Sequence, residues 1–162
     1  MRSLVPWIAL FVTAPAAFAA PQEGALGPSA RAAIEKAVLE VNAQMTRAAE
    51  DRDIERLFSF MLPNDRGSII QSGYLFLTRE EALATVKSGF QRVAAVKYHW
   101  KHQLVTVISP TTALLVNDGE SEFRTAQDPG TPIVASFAQT VLFSLTGGKW
   151  KVLHAHYSAP PR

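Results

Sequence analysis

The stretch Gly147-Gly-Lys-Trp-Lys-Val-Leu-His-Ala-His-Tyr-Ser158 decides the fold of this chain. Its paired glycines predict a tight turn, and the residues that follow have the character of a β-strand. Strict alternation gives two faces, the first with Trp150, Val152, His154 and His156, the second with Lys151, Leu153, Ala155 and Tyr157. Because both faces carry apolar residues, the pattern predicts a strand covered on both sides, either central in its sheet or at an interface.

Three more β-prone segments precede this strand. They span residues 96–109, 113–125 and 133–145, and turn signals rich in Pro, Gly, Thr and Asp separate them. Short connections of this kind join antiparallel neighbours, so the C-terminal half is predicted to be a meander of four long strands.

The N-terminal half has helical periodicity instead. Ser29 is predicted to cap a first helix that runs to about Glu50. Asp53 is predicted to cap a second helix, which Pro63 ends.

A short hairpin is predicted over residues 68–77, where Gly73 interrupts a β-prone run. Thr78 and Glu81 then form a capping box before a third helix. Helices followed by an antiparallel meander define an α+β fold, in which three N-terminal helices pack in a bent, mostly antiparallel sheet.

The first residues have the pattern of an export signal. A basic start at Arg2 is followed by a short apolar run and by small residues around Ala19 and Ala20, where cleavage is expected. The alternative is a membrane anchor, but the run is shorter than the roughly 20 residues that a bilayer span needs. We therefore expect a signal peptide at 1–20, a flexible leader at 21–28, a single domain at 29–160, and a periplasmic or secreted protein.

Composition narrows the classes of function. The chain has 162 residues, no cysteine and a net charge of +2, so the domain depends on its core and not on disulfides. Basic residues are scattered and no basic stripe with interleaved aromatics occurs, which argues against nucleic-acid binding. No phosphate-binding loop, serine elbow or HExxH motif is present in the sequence, and no cofactor, metal or membrane span is expected.

Two motifs resemble the nuclear transport factor 2-like superfamily over roughly residues 30–158. The ending from Gly148 to Ser158 is similar to the close of SnoaL-like proteins and of the calmodulin-dependent protein kinase II association domain. The corner from Ala48 to Leu57 is similar to the junction of the first two helices in the same superfamily. The resemblance implies a cone-shaped, cystatin-like fold with a ligand pocket at its open end and an outer sheet face that often forms a dimer.

The resemblance does not transfer the catalytic groups of ketosteroid isomerases. Their tyrosine corresponds to Met45, their first carboxylate to Gln71 or Ser72, and their second to Thr140 or Val141. The arginines that line the pocket of the kinase association domain correspond to Val141 and Tyr157. The resemblance therefore implies a pocket without these known acid, base and anion-binding groups.

Five residues are candidates for contact with a ligand: Tyr157, Gln139, Tyr74, Trp100 and Val141. Tyr157 combines a ring with a hydroxyl, and Gln139 places an amide in an otherwise apolar row of its strand. Tyr74 lies in the hairpin near the expected pocket mouth. For each of them, ordinary packing in the core or the hairpin is the alternative interpretation.

The histidines allow more than one interpretation. His154 and His156 share a strand face, and His99 and His102 lie on another strand, so a four-histidine metal site is one hypothesis. The resemblance places Leu153, Ala155 and Tyr157 toward the pocket, which turns His154 and His156 outward. With Trp150 they are then predicted to have a structural or interface role, and no metal ligand is assigned.

These observations lead to one expected function and two alternatives. The first is an exported domain that binds a small apolar or amphipathic molecule in an apolar cone-shaped pocket and forms a homodimer. It is non-catalytic or has an uncharacterised activity. The second is an isomerase, cyclase or dehydratase of the SnoaL-like kind, with a histidine or Glu122 as its base. The third is a structural dimerisation module whose cone is filled by its own side chains.

Overall fold

The computed structural model describes residues 26–63, 66 and 68–160 of the protein. This part contains three helices, α1 (Pro28–Glu50), α2 (Ile54–Ser59) and α3 (Arg79–Phe90). Its six strands are β1 (Ile69–Gln71), β2 (Tyr74–Phe76), β3 (Val93–Ser109), β4 (Thr112–Thr125), β5 (Ile133–Thr146) and β6 (Lys149–Ser158). The predicted signal peptide and the first five residues of the predicted leader lie outside the described residues. None of the helices described here is long and apolar enough to cross a membrane.

Helix α1 begins two residues earlier than the sequence pattern predicts, at Pro28. Gly27 is the N-cap and Pro28 occupies the first turn, so Ser29 is not the cap. The fixed φ of proline suits the first helical position, and its missing N–H would have no partner there. Proline therefore sets this helix start in place of a serine side chain.

The other two helix starts are capped as predicted. The Asp53 carboxylate accepts a hydrogen bond of 3.0 Å from the Arg56 backbone N–H at the start of α2. The Thr78 hydroxyl accepts one of 3.1 Å from the Glu81 backbone N–H at the start of α3. Both side chains satisfy donors that the helix itself cannot pair.

All six strands belong to one curved sheet in the order β2-β1-β6-β5-β4-β3. The long strands pair antiparallel, and β1 joins the edge of β6 in parallel. Ser72 and Gly73 both have positive φ in the tight turn between β1 and β2. The predicted α+β architecture with an N-terminal helical region and a mostly antiparallel sheet is confirmed.

The core fills the narrow end of the cone. Two rows of directly opposed residues cross the inner face of the sheet and pack against α1 and α2. The first row is Val105, Leu115, Val141, Ala155 and Ile69, and the second is Val107, Ala113, Phe143 and Val152. Their burial removes most of their apolar surface from water and closes this end of the cone.

A register shift in β6 corrects the predicted alternation of that strand. Leu142 is opposite His154, whereas the next residue of β5, Phe143, is opposite Val152. As a result Val152 and Ala155 are both fully buried, although strict alternation would place them on opposite faces. The predicted shared face of Trp150, Val152, His154 and His156 is therefore wrong.

The shift separates Trp150 from the two histidines. Trp150 packs against the core, and Leu153, which was expected to face the pocket, lies at the shift and outside both the core cluster and the cavity lining. The apolar residues on both sides of this strand are thus explained in part by the bulge. Strand β6 is nevertheless central, between β1 and β5.

Candidate functional site

A cavity of about 250 Å³ lies between the helices and the inner face of the sheet. Four residues of α1 at helical spacing line one wall, namely Asn42, Met45, Thr46 and Ala49. Side chains of α2, α3 and β1 close the sides, and β3, β4, β5 and β6 provide the opposite wall. The cone is therefore open inside, and Met45 and Trp100 line the cavity without filling it.

Three aromatic rings form part of the sheet wall of the cavity. Tyr98 and Trp100, two residues apart on β3, stack with their centroids 6.2 Å apart. Phe137 of β5 meets both edge-on, at 5.8 Å from Tyr98 and 5.3 Å from Trp100. Such pairs contribute on the order of 1 kcal/mol beyond the burial of their area, so they hold this wall in place.

A glycine between two of the rings makes this arrangement possible. Gly119 of β4 is directly opposite both Trp100 and Phe137. A Cβ at this position would collide with the backbone carbonyl of His99. The lack of a side chain therefore permits the close approach of β3 next to its register shift after Trp100.

A row of polar residues crosses the sheet between the aromatic wall and the apolar core. We call it the amide row, and it consists of Gln103, Asn117, Gln139, Tyr157 and Gln71, each directly opposite the next. Asn42 of α1 lies above it, and its side-chain NH₂ donates a hydrogen bond of 2.9 Å to the side-chain oxygen Oε1 of Gln103. The inner face of the sheet thus changes from apolar to polar along the strands.

Two tyrosines, Tyr98 and Tyr157, line the cavity. Burial, with a smaller effect of nearby Tyr98, raises the pKa of Tyr157 well above its usual range. Burial also raises the pKa of Tyr98, and the negative charge of Glu50 adds to it. Glu50 is fixed beside this wall because its carboxylate accepts a hydrogen bond of 2.9 Å from the Tyr98 backbone N–H. Both phenols are therefore neutral donors and acceptors at physiological pH.

The structure brings three of the five predicted ligand contacts together. Tyr157, Gln139 and Trp100 all line the cavity. Val141 is fully buried in the core and lines no described cavity, because it lies one row deeper on β5. Tyr74 is 72% exposed and borders a second hollow between the hairpin and α3.

Residues at the positions of the isomerase catalytic groups also reach the cavity. Met45, Gln71 and Ser72 line it, which places apolar and neutral polar groups where that family has a tyrosine and a carboxylate. Thr140 and Val141 do not, and the residues of β5 that line the cavity are Phe137 and Gln139.

The histidines lie away from the cavity. His99 and His156 are exposed, and His154 is half-buried on the outer face of the sheet, opposite Leu142. His102 is paired with Asp118 at 2.8 Å between Nδ1 and Oδ1. Within residues 26–63, 66 and 68–160, no three or more acidic, histidine or cysteine side chains come together as a metal site would require.

Glu122 is also on the outer side of the sheet. It pairs with Arg124 at 3.1 Å and is opposite Val134, which is exposed. Its neighbour Ser121 is the residue of this segment that lines the cavity. The proposed role of Glu122 as a base inside the pocket is therefore inconsistent with its position.

Sequence reasoning missed Asn42, Asn117, Tyr98 and Phe137. Asn42 interrupts the apolar face of α1, and a buried polar residue at such a position was a detectable signal. Tyr98 shares its face with Trp100 by simple alternation. Asn117 could not be found in this way, because its place beside Gln139 depends on the cross-strand register.

The fold and the site together define a cone-shaped α+β domain with an internal cavity, the architecture of the nuclear transport factor 2-like superfamily. Residues 38–162 match the SnoaL-like domain, and the chain belongs to this family. No curated protein matches the sequence closely enough to indicate its activity.

Several solved structures share the fold. A putative dehydratase from Streptomyces avermitilis is 20% identical with a TM-score of 0.70, over 82% of this chain and 99% of that one. A putative scytalone dehydratase from Novosphingobium aromaticivorans is 10% identical with a TM-score of 0.73, over 82% and 88%. Hexachlorocyclohexane dehydrochlorinase LinA-type3 from Novosphingobium barchaimii is 13% identical with a TM-score of 0.67, over 83% and 92%. At these identities the likeness shows the fold alone.

Proposed function

We propose that this domain binds a small, uncharged amphipathic molecule in the cavity between α1 and the sheet. The observation that carries the proposal is the cavity itself, with aromatic rings on one part of its wall and neutral amides on another. Pockets for small molecules combine a mostly apolar lining with a few converging polar groups in this way.

The lining favours a neutral ligand. Among the described residues around the cavity, the ionisable side chains are Tyr98 and Tyr157, and both are neutral at physiological pH. A buried charge without an opposite charge nearby is costly, so a carboxylate or an ammonium group on the ligand would be disfavoured. Glu50, beside Tyr98, adds to the penalty for an anion.

Native mass spectrometry of the protein purified from its own host tests the proposal. The expected result is one small molecule bound per chain and released on unfolding, with no carboxylate or ammonium group in the structure that its exact mass and fragmentation define. Tryptophan fluorescence gives a second measurement, because Trp100 lines the cavity and Trp150 does not. A ligand in the cavity should change the emission of the Trp150→Phe variant but not that of Trp100→Phe. An equal response of both variants would place the ligand elsewhere.

A second candidate function is acid–base chemistry on the bound molecule. Three structural neighbours are described as two putative dehydratases and a dehydrochlorinase, names that denote the elimination of water or of hydrogen chloride. The supporting observation in this chain is that two neutral tyrosines line one cavity and that the charge of Glu50 acts on one of them, Tyr98. A neutral phenol could donate a proton to the hydroxide that leaves as water when the C–O bond breaks. The resulting phenolate could accept the proton lost from the adjacent carbon, which forms the C=C bond and restores the neutral phenol.

Incubation of the co-purified molecule with fresh protein distinguishes the two functions. A dehydratase would convert it to a product lighter by one water, and Tyr98→Phe or Tyr157→Phe would slow the conversion. Binding alone would leave the mass unchanged over many hours.

We also propose that the outer face of the sheet forms a homodimer. Leu104 and Val116 are directly opposite each other on that face and both are exposed. The same row continues through Thr140 to His156. Adjacent exposed apolar side chains on a sheet face, here Leu104 and Val116, support an associating surface.

Export is proposed from the N-terminal sequence. The basic start, the short apolar run and the small residues before Ala20 support a cleaved signal peptide. Cell fractionation with intact-mass measurement tests this. The expected product begins after Ala19 or Ala20, and a full-length chain in the cytoplasmic fraction would contradict the proposal.

A further inference from the structure

We infer that the ligand is longer than the cavity and that its apolar end lies in the second hollow, between the hairpin of β1 and β2 and helix α3. This space, which we call the outer hollow, is bordered by Tyr74 and Phe76 of the hairpin and by Ala84 and Gly89 of α3. The inference rests on the proposed small-molecule binding and specifies the class of ligand, a neutral polar head with a hydrocarbon tail.

The cavity alone is small for a pocket that encloses a small molecule. Its volume is about 250 Å³, whereas ligand pockets commonly have roughly 300–1,000 Å³. The outer hollow adds about 690 Å³ of more open space. A ligand of ordinary size can therefore place one end in the cavity and the other end in the outer hollow.

The two spaces adjoin along the gap between the hairpin and α3. Gln71 at the end of β1 and Ser72 in the turn that follows border both spaces. Val86 and Phe90, one turn apart on α3, border both from the helix side. Because the same four residues line the cavity and the outer hollow, a chain that leaves the cavity between them enters the outer hollow directly.

The lining of the outer hollow suits a hydrocarbon chain. Tyr74 contributes an aromatic ring that is 72% exposed, and covering this ring with hydrocarbon would remove apolar surface from water. Thr85, Ser88 and Arg92 also border the hollow, but all three are exposed, so water satisfies their polar groups and no anion is required. The apolar lining residues are Phe76, Ala84, Val86, Phe90 and Val93.

Gln139 determines which end of the ligand enters the cavity. It lines the cavity, it is 7% exposed, and its side-chain amide has no hydrogen-bond partner among the described residues. A buried amide gains from a partner, so the polar head of the ligand belongs beside Gln139. Trp100 and Phe137 line the same space and offer their rings to an aromatic head. The tail then extends through the gap into the outer hollow.

Calorimetric titration with 4-ethylphenol, 4-butylphenol and 4-hexylphenol tests the inference. These probes have the same neutral ring and hydroxyl and differ only in the length of the tail. Each fully buried methylene tightens binding about fourfold, and an open hollow covers part of its surface. We therefore expect 4-hexylphenol to bind wild-type protein at least about tenfold more tightly than 4-ethylphenol, with 4-butylphenol between them.

The variant Gly89→Phe should remove the gain from the longer tail. A Cβ on Gly89 meets no atom within 4 Å, so a phenyl group can enter the outer hollow without displacing the backbone. The variant should bind all three probes about as tightly as wild type binds 4-ethylphenol. Lys87→Phe is the matched control, since Lys87 is exposed on the same helix and lines neither space. It should keep the full gain, and thermal unfolding without probes checks that both variants are folded.

Tyr74→Ala tests the outer hollow by removing a contact instead of filling the space. Loss of the exposed ring should weaken the binding of 4-hexylphenol by about threefold or more and leave that of 4-ethylphenol unchanged. Leu75→Ala is the control for this variant, because Leu75 is the next residue of the strand, is 54% exposed and lines neither space. It should bind both probes as wild type does.

The results separate the inference from the function on which it rests. If wild type binds 4-ethylphenol and 4-hexylphenol equally, or if Gly89→Phe and Tyr74→Ala both keep the full gain, the inference is wrong and binding in the cavity stands. Loss of the gain in Lys87→Phe or Leu75→Ala would place the tail outside the outer hollow and would also overturn the inference. If no probe binds, both the inference and the proposed small-molecule binding are overturned.

Discussion

Trp100 and Gly119 lie directly opposite each other on the inner face of the sheet, and the close approach of their strands leaves no space for a side chain on Gly119. Phe137, on the far side of Gly119, packs edge-on against Trp100 across the gap, with 5.3 Å between the ring centroids. The shape of the aromatic wall therefore depends on a residue that has no side chain of its own.

Gly119→Ala should destabilise the protein. Its Cβ would collide with the His99 carbonyl, which belongs to the backbone and cannot rotate away. Strained insertions into packed regions typically cost about 1–3 kcal/mol, so the free energy of unfolding in urea should fall by that amount.

Gly89→Ala is the control for this prediction. Gly89 lies near the end of α3, and a Cβ there would meet no atom within 4 Å. Alanine is favoured over glycine in helices by up to about 1 kcal/mol, so this variant should be as stable as wild type or slightly more stable. Similar losses in both variants would show that the close approach at Gly119 is not the cause.

Ala49→Phe should block ligand binding without preventing folding. Ala49 lines the cavity from α1, and a phenyl group there would take up a large part of the space of about 250 Å³. Affinity for a cavity ligand should fall by at least about tenfold, since the ring and the ligand compete for one volume. Titration calorimetry measures the loss.

Ala33→Phe makes the same substitution on an exposed part of α1. It should leave affinity unchanged, and circular dichroism of the two variants should match wild type. If Ala49→Phe retains wild-type affinity, the ligand does not occupy this cavity.

The element order could be predicted because its signals are local. The side chains of Asp53 and Thr78 cap their helices as the sequence indicates, since a cap needs only a polar residue and the next turn of chain. The turn at Gly147 and Gly148 joins β5 to β6 with positive φ at both residues. Features of this kind do not depend on the rest of the fold.

The faces of β6 could not be predicted fully because a bulge has no such local signal. Alternation correctly separates Ala155 and Tyr157 from His156, but the register shift beside Leu153 brings Val152 and Trp150 to the inner face as well. The shift follows from how β5 curves against β6, which depends on tertiary packing.

The residues of the candidate site could also be predicted only in part from the sequence. Gln139 and Trp100 were identifiable from residue type and strand position, and both line the cavity. The amide row was not, because it joins residues from four strands and a hairpin whose registers are set by their turns and by the packed core. Whether these residues bind a ligand stays a prediction for the experiments above.

Tyr157→Phe should reduce the loss of stability at alkaline pH. Burial raises the pKa of the Tyr157 hydroxyl, so the native state holds this proton more tightly than the unfolded chain, in which tyrosine titrates near about pH 10. The stabilising effect is fully present below that pH and is lost as the pH rises above it. Each such group lowers the free energy of unfolding by up to about 1.4 kcal/mol per pH unit in this range.

Urea unfolding of both proteins at several pH values between about 8 and 11 measures this effect. The free energy of unfolding of wild type minus that of Tyr157→Phe should be constant up to about pH 10 and should fall above it. Tyr98, whose pKa is also raised, remains in both proteins, so its own loss of a proton occurs in both. A difference that stays constant throughout would mean that the Tyr157 hydroxyl is accessible to water in the native state.

Leu104→Asp should convert the proposed dimer to a monomer. Leu104 is 65% exposed on the outer face, directly opposite exposed Val116, so its own domain does not depend on it for packing. In a dimer formed through this face the aspartate would be buried without an opposite charge, which costs several kcal/mol and is enough to separate subunits at micromolar concentration. Light scattering coupled to size exclusion should give twice the chain mass for wild type and the chain mass for the variant.

Leu75→Asp introduces the same charge on the exposed hairpin and should leave the dimer intact. A wild-type monomer would exclude the dimer, and a dimer that survives Leu104→Asp but not Leu75→Asp would place the interface at the hairpin instead.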